Sequence, residues 1–311
     1  MKLVSYKFNN KPGAYRIGCM IDGRVADLQE GLRALLQSNH DYGRLRVLEN
    51  LLPADPNDFF SMGEFTLNQA RKAYEYISVH TDEMKLYDRQ EVNLGTPISQ
   101  PSKIICVGKN YADHAAEMKS DIPEIPVLFA KFPNALIGPE DAIEKAKVTN
   151  KLDYEVELAV VIGKEASQIT KAEALDYVAG YTIGNDTSAR DLQKRTPQWL
   201  QGKTHDRSTP IGPWVVTADD IRDPHNLSIR SFVNGEKRQD SNTNKLIFDI
   251  PFLLEFISDF ITLEPGDIIM TGTPNGVGVA MDPPQFLKAG DVVTLEIDQI
   301  GKMENEVVDQ D

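Results

Sequence analysis

The sequence predicts a mainly β protein with α/β elements: a small α+β N-terminal domain over residues 1–98, then a larger strand-rich domain over 99–311. Three observations predict it. Short runs of alternating apolar and polar residues recur between Gly, Pro and Asn turn signals, the pattern of half-buried strands. Helical spacing is confined to a few stretches. A Pro- and Ser-rich segment, Gly95-Thr-Pro-Ile-Ser-Gln-Pro-Ser102, reads as a linker and places the boundary near residue 98.

In the N-terminal part, strands are expected over residues 2–8, 15–21 and 25–28, the last two joined by an Asp22-Gly23 turn of the hairpin type. Helices are expected over 29–36 and over 66–79, where Leu67, Ala70, Ala73 and Tyr74 fall at helical spacing. No chemistry suggests itself in this part.

The larger part opens with a strand over 103–108 that leads into Asn110-Tyr-Ala-Asp-His-Ala-Ala-Glu-Met118. His114 and Glu117 are three apart, so a helical turn brings them together and the carboxylate can orient the imidazole. An isolated pair of this kind otherwise serves as a surface ion pair. Residues 121–126, with two prolines, are poor formers of regular structure and read as a candidate lid.

Leu152-Asp-Tyr-Glu-Val-Glu-Leu-Ala-Val-Val-Ile-Gly163 has a period of two, which puts Asp153, Glu155 and Glu157 on one face of a strand. Alternate residues lie about 6.6 Å apart, a span from which two carboxylates can converge on one hard cation. A wet antiparallel face is the plain reading of such a strand. The continuation Ala159-Val-Val-Ile162 is apolar on both faces, which argues instead that the carboxylates line a cavity.

A helix capped by Thr170 is expected over 171–177, with Ala172, Leu175 and Ala179 on one face. A strand over 178–186 then ends on Asp186, followed by a capped helix start over 187–193 that carries Arg190 and Gln193 on one face. Asp186 there is either a site residue or the cap. Gln201-Gly-Lys-Thr204 lacks the glycine a phosphate loop needs, since Pro197 stands in its place. Gly272-Thr-Pro-Asn-Gly-Val-Gly278 lacks the third glycine and the helix of a dinucleotide fingerprint. It remains a turn whose amides, with the Thr271 or Thr273 hydroxyl, could hold an anion or carbonyl oxygen, or a plain turn between strands. Residues 249–260 predict an amphipathic helix whose Phe and Leu stripe is core. Glu264-Pro-Gly-Asp267 predicts a type II turn, and strands over 268–271 and 291–297 close the chain. His205 and His225, alone in loops, read as bystanders.

Bulk properties narrow the function classes. The chain has 311 residues and a formal net charge of -14, with no basic cluster, which argues against nucleic acid and anionic lipid as partners. No run approaches the roughly 18 apolar residues of a membrane helix. The start lacks the pattern of a secretory signal, so cytoplasmic residence is expected. Cys19 and Cys106 stand far apart and read as buried thiols.

Gly108-Lys-Asn-Tyr-Ala-Asp-His114 with Glu117, Asp153-Tyr-Glu-Val-Glu157, Gly184-Asn-Asp-Thr-Ser-Ala-Arg-Asp191 with Gln193, Gly202-Lys203 and Thr271-Gly-Thr-Pro-Asn-Gly-Val-Gly278 together resemble the fumarylacetoacetate hydrolase family. The resemblance covers 103–301 and implies a mixed β-sandwich roll, a homodimer, and a Mg²⁺ or Mn²⁺ ion. It implies Glu155, Glu157 and Asp186 as metal ligands, His114, Glu117 and Lys203 as catalytic groups, and Arg190, Gln193 and Thr273 around a small-molecule 2-oxo acid substrate. His205 follows the Gly-Lys pair where relatives often carry an apolar or aromatic residue, beside the expected substrate site. Asp153 is left without a ligand role. Three carboxylates suit a hard octahedral cation, whereas zinc prefers nitrogen or sulfur. The expected reaction is hydrolysis of a carbon–carbon bond in a 2,4-dioxo acid, with His114 activating water and Lys203 stabilising the oxyanion. Oxaloacetate decarboxylation and keto–enol isomerisation pass through the same enolate and follow in that order. A divalent-ion-dependent scaffold dimer, predicting no turnover, comes last.

Overall fold

The computed structural model describes residues 1–10 and 12–310. Its spine is a 12-stranded mixed sheet in which Val156–Ile162 lies between Val178–Asn185 and Ile268–Met270. The run Val-Glu-Leu-Ala-Val-Val-Ile is buried at every position, as expected of a strand covered on both faces. Ile268–Met270 pairs in parallel with Ile104–Gly108, and that strand continues to Val127–Lys131 at one edge. On the other side Thr209–Thr217 joins Val178–Asn185 to Lys2–Phe8, so the first residues of the chain belong to the same sheet.

A second sheet of five strands packs over this one, in the order Glu236–Asn242, Ser228–Val233, Val292–Ile297, Gly301–Asp309, Ile143–Lys145. Between the two sheets lies a core that includes Val156, Leu158, Val160, Ile229, Val293, Leu295 and Ile297. The opposite face of the large sheet is covered by the helices Leu28–Ser38 and Glu64–Val79, whose Leu32, Leu36, Leu67, Ala70 and Ala73 meet Ala159, Val161 and Met270 in a second core. These layers are the sheet-rich, mixed roll that the motifs implied.

Local expectations fare unevenly. Asp22 and Gly23 have φ of 47° and 79°, the two positive values a type I′ hairpin requires. Gly266 has φ of 89° in the Glu264–Asp267 turn, closed by the Asp267 amide donating to the Glu264 carbonyl at 3.0 Å. Cys19 and Cys106 are buried free thiols. Residues 171–177 do not form the expected α-helix: only a 3₁₀ turn, Ala174–Tyr177, is present, and Leu175 is 38% exposed while Ala174 is buried. The Thr170 amide donates to Glu173 there, closing a tight turn in place of a helical cap. In Ile250–Ser258, Leu253, Leu254 and Ile257 are core, but Phe252 and Phe256 are half-buried and Phe260 is 58% exposed. The phenyl rings of Phe248, Phe252, Phe256 and Phe260 contact one another in a row, and of these Phe248 and Phe256 also pack against the core between the sheets. Strands Thr209–Thr217, Ser228–Val233, Glu236–Asn242 and Gly301–Asp309 had no expected counterpart. Among the described residues no helix is long and apolar enough to cross a membrane.

Candidate active site

Antiparallel register builds the acidic centre. Val156 pairs with Asn185 and Glu157 with Gly184, so Glu155 lies opposite Asp186, whose amide donates to the Glu155 carbonyl at 2.9 Å. Glu155 and Glu157, two residues apart, turn to the same side. Each of Glu155, Glu157 and Asp186 is buried and offers one oxygen within 4.8 Å of the others. These are the three residues that the motifs implied as ligands, and the structure brings them together.

Cations stand behind two of the three. Lys203 Nζ donates to Glu155 at 2.8 Å and to Asp186 at 2.6 Å; Arg190 donates to Glu155 at 2.6 Å. Lys131 Nζ, unforeseen in the sequence, donates to the other Asp186 oxygen at 2.8 Å and to the Thr187 carbonyl at 3.1 Å. Asp186 is therefore not a helix cap, and Thr187 does not cap either, because Ser188–Ala189 is a strand and the helix begins at Arg190. Burial alone pushes the Glu155 carboxyl up, but Lys203 and Arg190 overcome it and hold it well below the usual carboxylate range. Burial likewise disfavours the Lys203 ammonium, and the charges of Asp186 and Glu155 reverse the sign and keep it protonated. Glu157 makes no ion pair among the described residues, and its one hydrogen bond there comes from the Gly272 amide at 2.8 Å. Burial, then the neighbouring Asp186 and Glu155 charges, push it well up against the pull of the nearby Lys203 charge.

The glycine-rich turn holds anions, but they are the chain's own. Gly272 N donates to Glu157, Gly276 N to Glu117 at 2.9 Å, and Gly278 N and Val279 N to the two oxygens of Asp153. Asp153 also accepts from Arg190 Nε at 2.9 Å, so the residue left without a ligand role anchors this turn to the arginine. Both threonine hydroxyl hydrogens are committed, Thr271 to the Leu158 carbonyl and Thr273 to the Val156 carbonyl, which removes the Thr273 proton expected for substrate. Gly272 must be glycine: its φ is 105° and a Cβ would come within 2.7 Å of Asn110 Cβ.

A cavity of about 310 Å³ opens onto this centre, lined by Glu155, Glu157, Asp186, His114, Lys203, Arg190, Gln193 and Thr273, so every implied site residue except Glu117 touches it. Glu117 acts from behind, through His114 Nδ1 at 2.8 Å. The carboxylate takes the Nδ1 hydrogen, which leaves Nε2 as the basic nitrogen, and Nε2 has no hydrogen-bond partner among the described residues. The pair is thus no surface ion pair, since His114 is buried. Arg190 spends its guanidinium on Asp153, Glu155 and Gln193 Oε1, a positioning job rather than a free substrate grip. Gly202 lets Leu200–Lys203 approach Arg190–Gln193, because a Cβ there would meet Gln193 at 2.6 Å. Phe129 and Trp199, packed edge to face at 5.3 Å, form an apolar wall, and Met118 and Ser120 belong to the rim where residues 119–126 have no regular structure. His205 is not in the lining; its Nε2 is buried without a partner among the described residues, and burial, then Lys131, lower its pKa. His225, by contrast, is no bystander, since its Nε2 accepts the Ile250 amide at 3.1 Å at the start of Ile250–Ser258.

The donor set fits a divalent cation. Asp153, Glu155, Glu157 and Asp186 are four carboxylates facing three cations, Arg190, Lys131 and Lys203, and Glu157, which makes no ion pair among the described residues, sits at the focus. All-oxygen ligands of this kind suit Mg²⁺ or Mn²⁺.

Comparison with known proteins gives the same frame. The fumarylacetoacetate (FAA) hydrolase C-terminal family model matches residues 103–308. The chain is 42% identical over 310 residues to oxaloacetate tautomerase fahd2, mitochondrial, of Xenopus laevis, covering 99% of this chain and 90% of that protein. It is 43% identical over 298 residues to oxaloacetate tautomerase YisK of Bacillus subtilis, covering 94% and 95%. Among solved structures, maleylpyruvate hydrolase from Sphingobium sp. SYK-6, in complex with manganese(II) and pyruvate, superposes with a TM-score of 0.77 at 29% identity over the whole of both chains.

Proposed function

Since the chain belongs to the fumarylacetoacetate hydrolase family of enzymes, we propose that it is a divalent-metal-dependent tautomerase that interconverts the keto and enol forms of oxaloacetate or a similar short 2-oxo acid. The names of the relatives favour this reaction over the carbon–carbon hydrolysis expected first. The observation that carries it is the placement of a carboxylate-oriented imidazole, His114, on the same cavity as three convergent carboxylates.

Glu155, Glu157 and Asp186 would hold the ion, which when bound supplies a Lewis acid and a template for the carboxylate and keto oxygen of the substrate. His114 Nε2 takes a proton from C3, beside the keto carbon. The C3–H electron pair becomes the C2–C3 double bond while the carbonyl pair moves onto oxygen, and protonation of that oxygen completes the enol. Glu117 holds the Nδ1 hydrogen and stabilises the imidazolium formed. Lys203 and Lys131 hold Asp186 through ion pairs, and Arg190 fixes Glu155. Phe129 and Trp199 exclude water from one side, which favours returning the proton over admitting a hydrolytic water.

The test follows oxaloacetate with the Mg²⁺-loaded protein, by the ultraviolet absorbance of the enol and by proton NMR of the products. Keto–enol exchange is accelerated without release of pyruvate, and His114→Ala slows it by about 10²–10⁴-fold. Accumulation of pyruvate, or cleavage of an acylpyruvate, with no acceleration of exchange overturns the reading in favour of decarboxylation or hydrolysis.

A further inference from the structure

Two lysines of the cavity have no work in this chemistry. Arg190 and Lys203 are bound to Asp153, Glu155 and Asp186. Lys109 and Lys194 also belong to the lining, and neither makes an ion pair or side-chain hydrogen bond among the described residues. Lys194 is exposed, so water and salt screen it; Lys109 is half-buried.

Lys109 also has a backbone that points to a purpose. Its φ is 58°, left-handed for a residue with no local side-chain hydrogen bond to favour it. The surrounding turn imposes that conformation. Asn110 Nδ2 donates to the Phe248 and Thr271 carbonyls, Asn110 Oδ1 accepts from the Phe248 amide, and Gly272 packs directly on Asn110. Such a turn fixes where the Lys109 side chain leaves the backbone before ligand arrives, which reduces the cost of binding.

The geometry points to Lys109 as the residue that recognises a second carboxylate, distal to the 2-oxo acid group, so that the cavity selects dicarboxylates over monocarboxylic 2-oxo acids. A substrate held through its 2-oxo acid end on the triad carries that distal group away from three buried carboxylates. A cation with no internal partner gains an ion pair without breaking one, and half-burial lessens the screening that makes surface pairs weak. The assignment rests on the reading that a 2-oxo acid binds at the triad.

L-Malate and L-lactate differ only by the distal carboxylate, and neither has a keto group to tautomerise. Their binding to Mg²⁺-loaded protein is measured by calorimetry, alongside Mg²⁺ binding itself. Lys109→Met weakens malate about tenfold, leaves lactate and Mg²⁺ unchanged, and Lys109→Arg restores the preference for malate. Equal losses for malate and lactate, no loss for malate, or transfer of the preference to Lys194→Met each overturn the assignment. Failure of the wild type to exchange oxaloacetate, with the Lys109-dependent preference for malate intact, removes the tautomerase reading and supports this one.

Discussion

Gln239 shows how far the site depends on the second sheet, and its replacement by Leu tests that dependence. The residue is fully buried in Glu236–Asn242. Its Oε1 accepts from Val156 N at 3.1 Å and from Ser231 Oγ at 2.8 Å, while Nε2 donates to Thr273 Oγ1 at 2.7 Å and to the Pro274 carbonyl at 2.8 Å. Leucine fills a similar volume and makes none of these bonds. Ser231 can rotate its hydroxyl, and Thr273 keeps its bond to the Val156 carbonyl at 2.9 Å. Val156 N–H and the Pro274 carbonyl stay behind, buried without partners. Each costs about 1–3 kcal/mol, so Gln239→Leu loses about 2–6 kcal/mol, a large part of the roughly 5–15 kcal/mol that holds a typical domain folded. Val156 stands between Glu155 and Glu157, so Mg²⁺ affinity falls together with stability. Equilibrium urea unfolding and calorimetric Mg²⁺ titration read the two effects. A stability loss below about 1 kcal/mol, or full stability loss with unchanged Mg²⁺ affinity, refutes the claim that this side chain ties the acidic strand to the glycine-rich turn.

The acidic centre itself gives a second prediction: Glu155→Ala abolishes divalent retention and activity together, and it removes one charge-assisted hydrogen bond each from Arg190 and Lys203, which keep Asp153 and Asp186, at a cost of about 1.5–3 kcal/mol per bond. Metal analysis after gel filtration checks it, and a variant that retains Mg²⁺ and turns over normally sinks the ligand assignment. A third concerns pH. Burial lowers the His225 pKa against the opposing pull of Asp249 and Asp223, with Lys171 adding to the lowering, and Nε2 accepts the Ile250 amide only while unprotonated. The folded state therefore favours the neutral ring, so this contribution is complete above the unfolded pKa of about 6.5 and is lost as pH falls from there through the folded value. Urea stability of the wild type minus that of His225→Leu declines over this window, and a difference that is flat or rises toward acid contradicts the assignment.

The parts of the site legible in the sequence are those whose geometry is local. Two carboxylates at a spacing of two share a strand face, and His114 and Glu117 at a spacing of three share a helical turn, whatever the rest of the chain does. Asp153 obeyed the same rule on paper, but the strand is interrupted after it: Leu152–Asp153 pairs with Ser188–Ala189, and regular pairing resumes only at Val156. Its carboxylate is thereby free to take the amides of Gly278 and Val279. Lys131 and Gln239 reach the site across 55 and 83 residues of chain, to Asp186 and Val156. Gln239 also lies in a run, Glu-Lys-Arg-Gln-Asp-Ser-Asn, with no apolar periodicity to announce even the strand that carries it.

What periodicity could not supply was the charge balance, and that balance decides the chemistry. A pair of glutamates on a wet face needs no counterion. Buried, Glu155 and Asp186 require the cations that Lys203, Arg190 and Lys131 deliver from three separate elements. Among the described residues Glu157 accepts one hydrogen bond, from an amide, and the Lys203 charge does not offset its burial and its two acidic neighbours, so its charge is unfavourable until something brings more positive charge to the point where the three carboxylates converge. A fourth internal lysine there would satisfy Glu157 and close the site. A divalent ion in that place would instead leave coordination positions open to a chelating 2-oxo acid, within the cavity that His114 also lines.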